Sequence, residues 1–107
     1  MTANYDTTTG LQVEVKQPWE DFLLDMELSP RMREGDTLSA VSEIVFVNQG
    51  VVDGSTDIVL GETSFSNTVA QVRISGGQDQ ENYKLSFRCL TVQGDKVEGD
   101  GMLYVRD

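Results

Sequence analysis

Histidine is absent from this chain, and cysteine occurs once, as Cys89. Without histidine there is no Ser-His or Cys-His nucleophile pair, no imidazole metal ligand and no ordinary general base near neutral pH. A lone cysteine excludes an intrachain disulfide and a thiolate metal site. In the strand-like run Leu85-Ser-Phe-Arg-Cys-Leu-Thr-Val92 it reads as a small buried hydrophobe. A fold without disulfides suits synthesis in a reducing compartment. Apolar runs are short, so no membrane-spanning helix is expected. Nor is there the basic segment and apolar run of a signal peptide. Phosphate-binding glycine loops are missing too: no Walker-type motif occurs, and Gly99-Asp100-Gly101 carries only the first spacing of a dinucleotide fingerprint, on a strand. Basic residues are few, 8 against 18 acidic, giving a net charge of −10. Such a surface repels phosphate backbones and anionic lipid, so neither nucleic acid nor membrane is an expected partner. It serves solubility, or presents an acidic face to a basic partner or a weakly held divalent cation.

What the chain does contain is strand periodicity. Phe22, Leu24, Met26 and Leu28 recur at every second position, with Asp21, Leu23, Asp25 and Glu27 on the opposite face. Ser29-Pro30 ends that strand, and Arg31-Met-Arg-Glu-Gly-Asp36 is a polar connector that Gly35 stops. Thr37 to Asn48 alternates again, Val41, Glu43, Val45 and Val47 against Leu38, Ala40, Ser42, Ile44 and Phe46. Ile58-Val59-Leu60 reads as a short strand before Gly61, and Phe65 to Ile74 as the next. Val72-Arg-Ile-Ser-Gly-Gly77 then leads through Tyr83 into the Cys89 strand, and the turn Gln93-Gly94-Asp95-Lys96 into a last strand ending at Val105. Leu11, Val13 and Val15 alternate with Gln12 and Glu14, a further short strand after a polar, Thr-rich start.

At 107 residues this makes one domain. We expect an all-β, antiparallel, immunoglobulin-like β-sandwich of about seven strands, residues 18–107, preceded by an extended N-terminal arm, residues 1–17. The inward faces should carry Phe22, Leu24, Met26, Leu38, Ile44, Phe46, Val72, Ile74, Tyr83, Leu85, Phe87 and Cys89.

Few residues could carry chemistry. Asp21, Asp25 and Glu27 share a strand face, and paired carboxylates can cleave glycosides, but a solvated outer face explains them as well. Two acidic turns, Asp53-Gly-Ser-Thr-Asp57 and Asp95-Lys-Val-Glu-Gly-Asp100, have oxygens for calcium, yet neither matches the twelve-residue calcium loop. No catalytic residue, cofactor, metal or small-molecule substrate is expected. Tyr83 is read as a core ring whose hydroxyl bonds back across the sandwich corner. Trp19, beside Pro18, is either a lid on the core or an exposed interface anchor.

Several segments, in order, resemble one family. They are Phe22-Leu-Leu-Asp-Met26, Glu34-Gly-Asp-Thr-Leu38, Ile74-Ser-Gly-Gly77, Asn82-Tyr-Lys-Leu85, Gly94-Asp95 and Leu103-Tyr-Val-Arg-Asp107. From about residue 20 to 107 the chain resembles tailed-phage fibre-to-tail adaptors and related small virion proteins. It departs from them at Leu28-Ser-Pro-Arg-Met32, where an aromatic-rich segment is usual, and in the arm. The resemblance implies a non-enzymatic virion structural protein, made in the host bacterial cytoplasm. It would form a ring on the tail or head–tail connector, and its partners would be tail, connector or fibre components and copies of itself. A capsid decoration protein and a recognition or adhesion module binding a protein or glycan surface are the alternatives. Leu11, Val13, Val15 and Trp19 are the expected interface residues, with Leu11 to Val15 reaching across to a neighbour by strand addition.

Overall fold

The computed structural model describes residues 4–5, 12–49 and 57–107. Its strands are β1 (Asn4–Tyr5), β2 (Gln12–Lys16), β3 (Phe22–Glu27), β4 (Leu38–Asn48), β5 (Ile58–Ser66), β6 (Val69–Gly76), β7 (Asn82–Thr91) and β8 (Lys96–Val105). The one helical element among the described residues is a single 3-10 turn, Ser29–Arg31, opened by Pro30. It lies at the start of the polar connector, and Gly35, at φ +80°, ends the connector as the sequence implies. The strands expected from periodicity correspond to β2 to β8. Of these, β2 lies inside the segment read as the arm and runs parallel to β8, while the other pairs are antiparallel. β1 is an added pair of residues in the arm.

Two sheets form a sandwich, one in the order β1-β2-β8-β7-β4 and the other β3-β6-β5. If β3, β6 and β5 are taken as strands B, E and D, and β4, β7 and β8 as C, F and G, this order is compatible with the immunoglobulin-like outline. The fourteen buried hydrophobic residues between the sheets include nine of the twelve named above; Phe22, Ile44 and Phe46 are half-buried at its margin. Leu28, Ile58, Ala70, Leu103 and Val105 complete the core.

Two differences from the periodic reading have local causes. The stretch Phe65 to Ile74 is not one strand: the chain reverses at Asn67-Thr68, and Gly61 lies within β5 beside a register irregularity between Leu60 and Thr63. In β4 the register shifts between Leu38 and Ala40 and between Val41 and Glu43. Each extra residue flips the alternation. Val41 therefore packs against the core, whereas Glu43, Val45 and Val47 keep to the other face.

The spacing Gly99-x-Gly101 also has a structural reason. A Cβ on Gly99 would lie 3.0 Å from Leu28 Cδ1, and one on Gly101 3.0 Å from the Gln12 carbonyl. Both glycines let β3 and β2 approach β8 more closely than a side chain allows.

Asp36 ties the connector to the β7–β8 turn, accepting hydrogen bonds from the Thr37 N–H at 2.8 Å and the Gln93 N–H at 3.2 Å. Burial pushes its carboxyl up, but bonds from Thr91, Thr37 and Gln93, with Arg33 nearby, hold it below the usual 3.8. A depressed folded-state pKa gives stability that is present above the unfolded value and lost as pH falls through the folded one. Asp36→Asn is therefore expected to be less stable than the parent at pH 7, with the difference shrinking as pH falls below the usual carboxylate range. Thermal midpoints measured over that fall in pH check this.

Candidate functional site

The arm's extended segment is an integral strand. β2 runs parallel to β8, with Gln12 beside Gly101, Val13 beside Met102, Val15 beside Tyr104 and Lys16 beside Val105. Its segment 12–16 thus lies in the chain's own sheet and does not extend away from it. β1 adds antiparallel along Gln12 and Val13. Leu11 lies outside the described residues.

The alternation in β2 is inverted relative to an ordinary half-buried strand. Gln12 and Lys16 are buried, whereas Val13 is half-buried and Val15 is 51% exposed. Inward polar groups survive only when their hydrogen bonds are met. The Gln12 carboxamide donates to the Asp25 carbonyl and accepts from the Glu27 N–H at 3.1 Å, pairing with the edge of β3 as a backbone would. The Lys16 ammonium donates to the carbonyls of Gln17 (2.8 Å), Pro18 (3.1 Å) and Gly76 (2.6 Å). Burial pulls its pKa down, while Glu20 and Asp21 pull it up. Three carbonyls meet the three donors of a protonated lysine.

Two of those carbonyls belong to the turn that presents Trp19. Pro18 sets the backbone at its second position, the Glu20 N–H bonds the Gln17 carbonyl at 3.1 Å, and the Gln17 N–H bonds the Glu20 carboxylate at 2.7 Å. The turn is closed from within, from its own side chain and from Lys16 beneath. At its third position Trp19 is 93% exposed, so it is no core lid.

Beside the turn, Val13, Val15, Met102 and Tyr104 share the outer face of the five-stranded sheet. The Arg106 guanidinium lies 5.3 Å from the centre of the Tyr104 ring and bonds the Val105 carbonyl (2.7 Å) and Asn82 Oδ1 (2.6 Å), fixing its own position over the ring. Across the same face Val47, opposite Lys84 in β4–β7 register, is 54% exposed. An exposed tryptophan on a hydrogen-bonded turn, next to a partly apolar sheet face, has the chemistry of a protein contact.

The other candidates do not converge in this way. Asp21 pairs with Arg73 at 3.0 Å, Asp25 accepts from the Gln71 amide at 2.6 Å, and Glu27 caps the Ser29 N–H at 3.0 Å. Each carboxylate has its own cation or donor. Burial raises the Glu27 pKa, but bonds from Thr68 and Ser29 outweigh it and leave the group depressed, the opposite of a general acid. The sequence from Asp95 to Asp100 is not a calcium loop: residues 96–100 belong to β8, Asp95 pairs with Arg33 and Glu98 with Arg88. Among the described residues no three metal-binding side chains gather. Of the other acidic turn, residues 53–56 lie outside the described residues.

Tyr83 bonds across the sandwich to the opposite sheet. Its hydroxyl accepts from the Ile58 N–H on the opposite sheet (3.1 Å) and donates to Glu81 (2.7 Å). Burial and the Glu81 carboxylate push its pKa well above the usual range. Glu81, fully buried, is the partner that no sequence periodicity marks, because it sits in the turn before β7.

Residues 16–104 match the model of one family, described as Podophage GP4 fiber-tail adaptor protein gp77. No curated protein and no solved structure matches the chain.

Proposed function

The chain belongs to the podophage fibre-tail adaptor family, and from that membership we propose that it is a non-enzymatic virion protein that joins tail to fibre through Trp19 and the face beside it. The observation that carries the reading is a tryptophan 93% exposed on a turn held closed by Lys16 and Glu20. Holding the backbone that carries an aromatic anchor in place before contact removes part of the ordering cost of binding. Val13 and Val15 extend the contact, and several copies arranged in a ring would repeat it by symmetry. The net charge of −10 favours a basic partner surface and argues against nucleic acid. A glycan-binding module would display several free aromatic rings. Here Tyr104 is half-buried with Arg106 beside it, which supports a protein partner.

Trp19 is the single tryptophan, so its fluorescence reports the contact directly. Unfolding should shift its emission little, because the ring is already in water, whereas adding the purified tail or fibre partner should shift it to the blue. Trp19→Ala should leave stability within about 0.5 kcal/mol and weaken partner binding by at least about 30-fold, the weight of an interface hot spot. Calorimetric titration of parent and variant decides the matter, and unchanged affinity would remove Trp19 from the interface.

A further inference from the structure

The edges of the two sheets are guarded unequally. Gln12 stoppers the edge of β3 at Asp25 and Glu27, and β4 is interrupted by two register shifts. β5 is the terminal strand of its sheet, and after the irregularity near Gly61 its register with β6 is regular from Thr63 to Ser66. Residues 61–66 are exposed without exception, on both faces. Thr63 and Phe65 lie opposite Val72 and Ala70, both buried, yet Phe65 remains 45% exposed. The strand is short of the devices that block pairing: from Thr63 to Ala70 there is neither a charge nor a proline.

We infer that this edge pairs with the same edge of a second copy, antiparallel about a two-fold axis at Ser64, joining two three-stranded sheets into one of six. Charge selects the occupant. Two chains of net charge −10 repel over most of their surfaces, and a basic partner has no acid to meet along Thr63–Ser66. An uncharged edge suits a like-charged copy. The register follows from the side chains. With Ser64 opposite its copy, Phe65 lies beside the other chain's Thr63, an aromatic and β-branched pair on the face where each lacks cover. Glu62 then lies beside Ser66, and the two glutamates stand about 13 Å apart along the strands, beyond the screening length of about 8 Å at physiological salt. Moving the axis between Thr63 and Ser64 would set Glu62 against Phe65. So short a seam falls below the area of a stable interface, and the pair forms transiently.

Cross-linking traps a transient pair and reads its register. Opposed residues in an antiparallel pair have Cα atoms about 4.5–5.5 Å apart, within disulfide reach. The full chain carrying Ser64→Cys should form a disulfide dimer under mild oxidation. Ser66→Cys, whose copies would stand about 13 Å apart, should stay monomeric. Native Cys89 is buried and its thiol pKa is raised by burial, so the parent gives no background. Adding Phe65→Lys to Ser64→Cys should abolish the cross-link while circular dichroism shows the fold intact. Equal cross-linking at both serines, or a folded Ser64→Cys protein that stays monomeric, overturns the proposal. So does protection of the 63–66 amides from hydrogen exchange that depends on an added tail or fibre protein.

Discussion

Lys16→Met is expected to lower stability by about 3 kcal/mol and to loosen the Trp19 turn. The change keeps the buried aliphatic stem and deletes an ammonium that donates to three carbonyls. Hydrogen bonds to charged groups contribute about 1.5–3 kcal/mol each, and the variant recovers part of the loss by no longer burying a charge. Gly76 holds φ +71°, so its carbonyl has little freedom to turn elsewhere. Against a typical total of about 5–15 kcal/mol the loss is large. Denaturant titration measures it. The anisotropy of Trp19 emission, which should fall, separates the turn from the core, because Trp19 itself packs on nothing that the core supplies. The same geometry explains why deleting residues 1–16 is a poor test of the arm. It would remove β2, the Gln12 stopper and Lys16 together, and failed assembly would follow from a damaged sandwich.

Glu81→Ala should cost more, about 4 kcal/mol. The Glu81 carboxylate accepts from the Tyr83 hydroxyl, the Gln78 N–H and the Asn48 amide at 3.0 Å. The side chain is fully buried, and its removal takes a charged acceptor from all three donors at once, leaving the Asn48 amide and the Tyr83 hydroxyl to fall back on Asp57 at 2.8 and 3.3 Å. Each hydrogen bond to a charged group is worth about 1.5–3 kcal/mol, less what Asp57 and entering water recover. Glu81→Gln keeps the shape and one acceptor oxygen, and should lie between parent and alanine variant. A lower urea midpoint at unchanged slope would assign the effect to the folded state. Equal stability of all three proteins would show that the Tyr83 corner does not hold the sheets together.

How far the sequence carried depends on the element. Where period-2 alternation ran unbroken, as at Phe22 to Leu28, the inward face was legible, because a strand buried on one side must place apolar groups at every second residue. The glycine turns at Gly76-Gly77 and Gly94 were legible for a related reason: φ values of +71°, +88° and +93° favour glycine over any side chain. β4 resisted, since two irregularities shift its register and no residue type announces them. β2 misled in a more instructive way. Leu11-Gln-Val-Glu-Val15 looks like a strand with a valine side to bury, yet its polar side faces inward. That inversion is stable only because Gln12 finds the edge of β3 and Lys16 finds the turns at 17–18 and 76. Gln17 and Pro18 are neighbours, but the edge of β3 and Gly76 are about fifteen and sixty residues away, beyond any local pattern.

By itself, then, the sequence determined an all-β chain, poor in the groups that do chemistry, with segments in the order of a fibre-tail adaptor. It did so because alternation, turn residues and missing histidines are local properties. Tertiary structure alone decided that the arm's strand docks in its own sheet, that Val15 and Trp19 face outward, and that β5 ends its sheet among the described residues. Each of these turns on which segments meet in space, and only the packed molecule sets that.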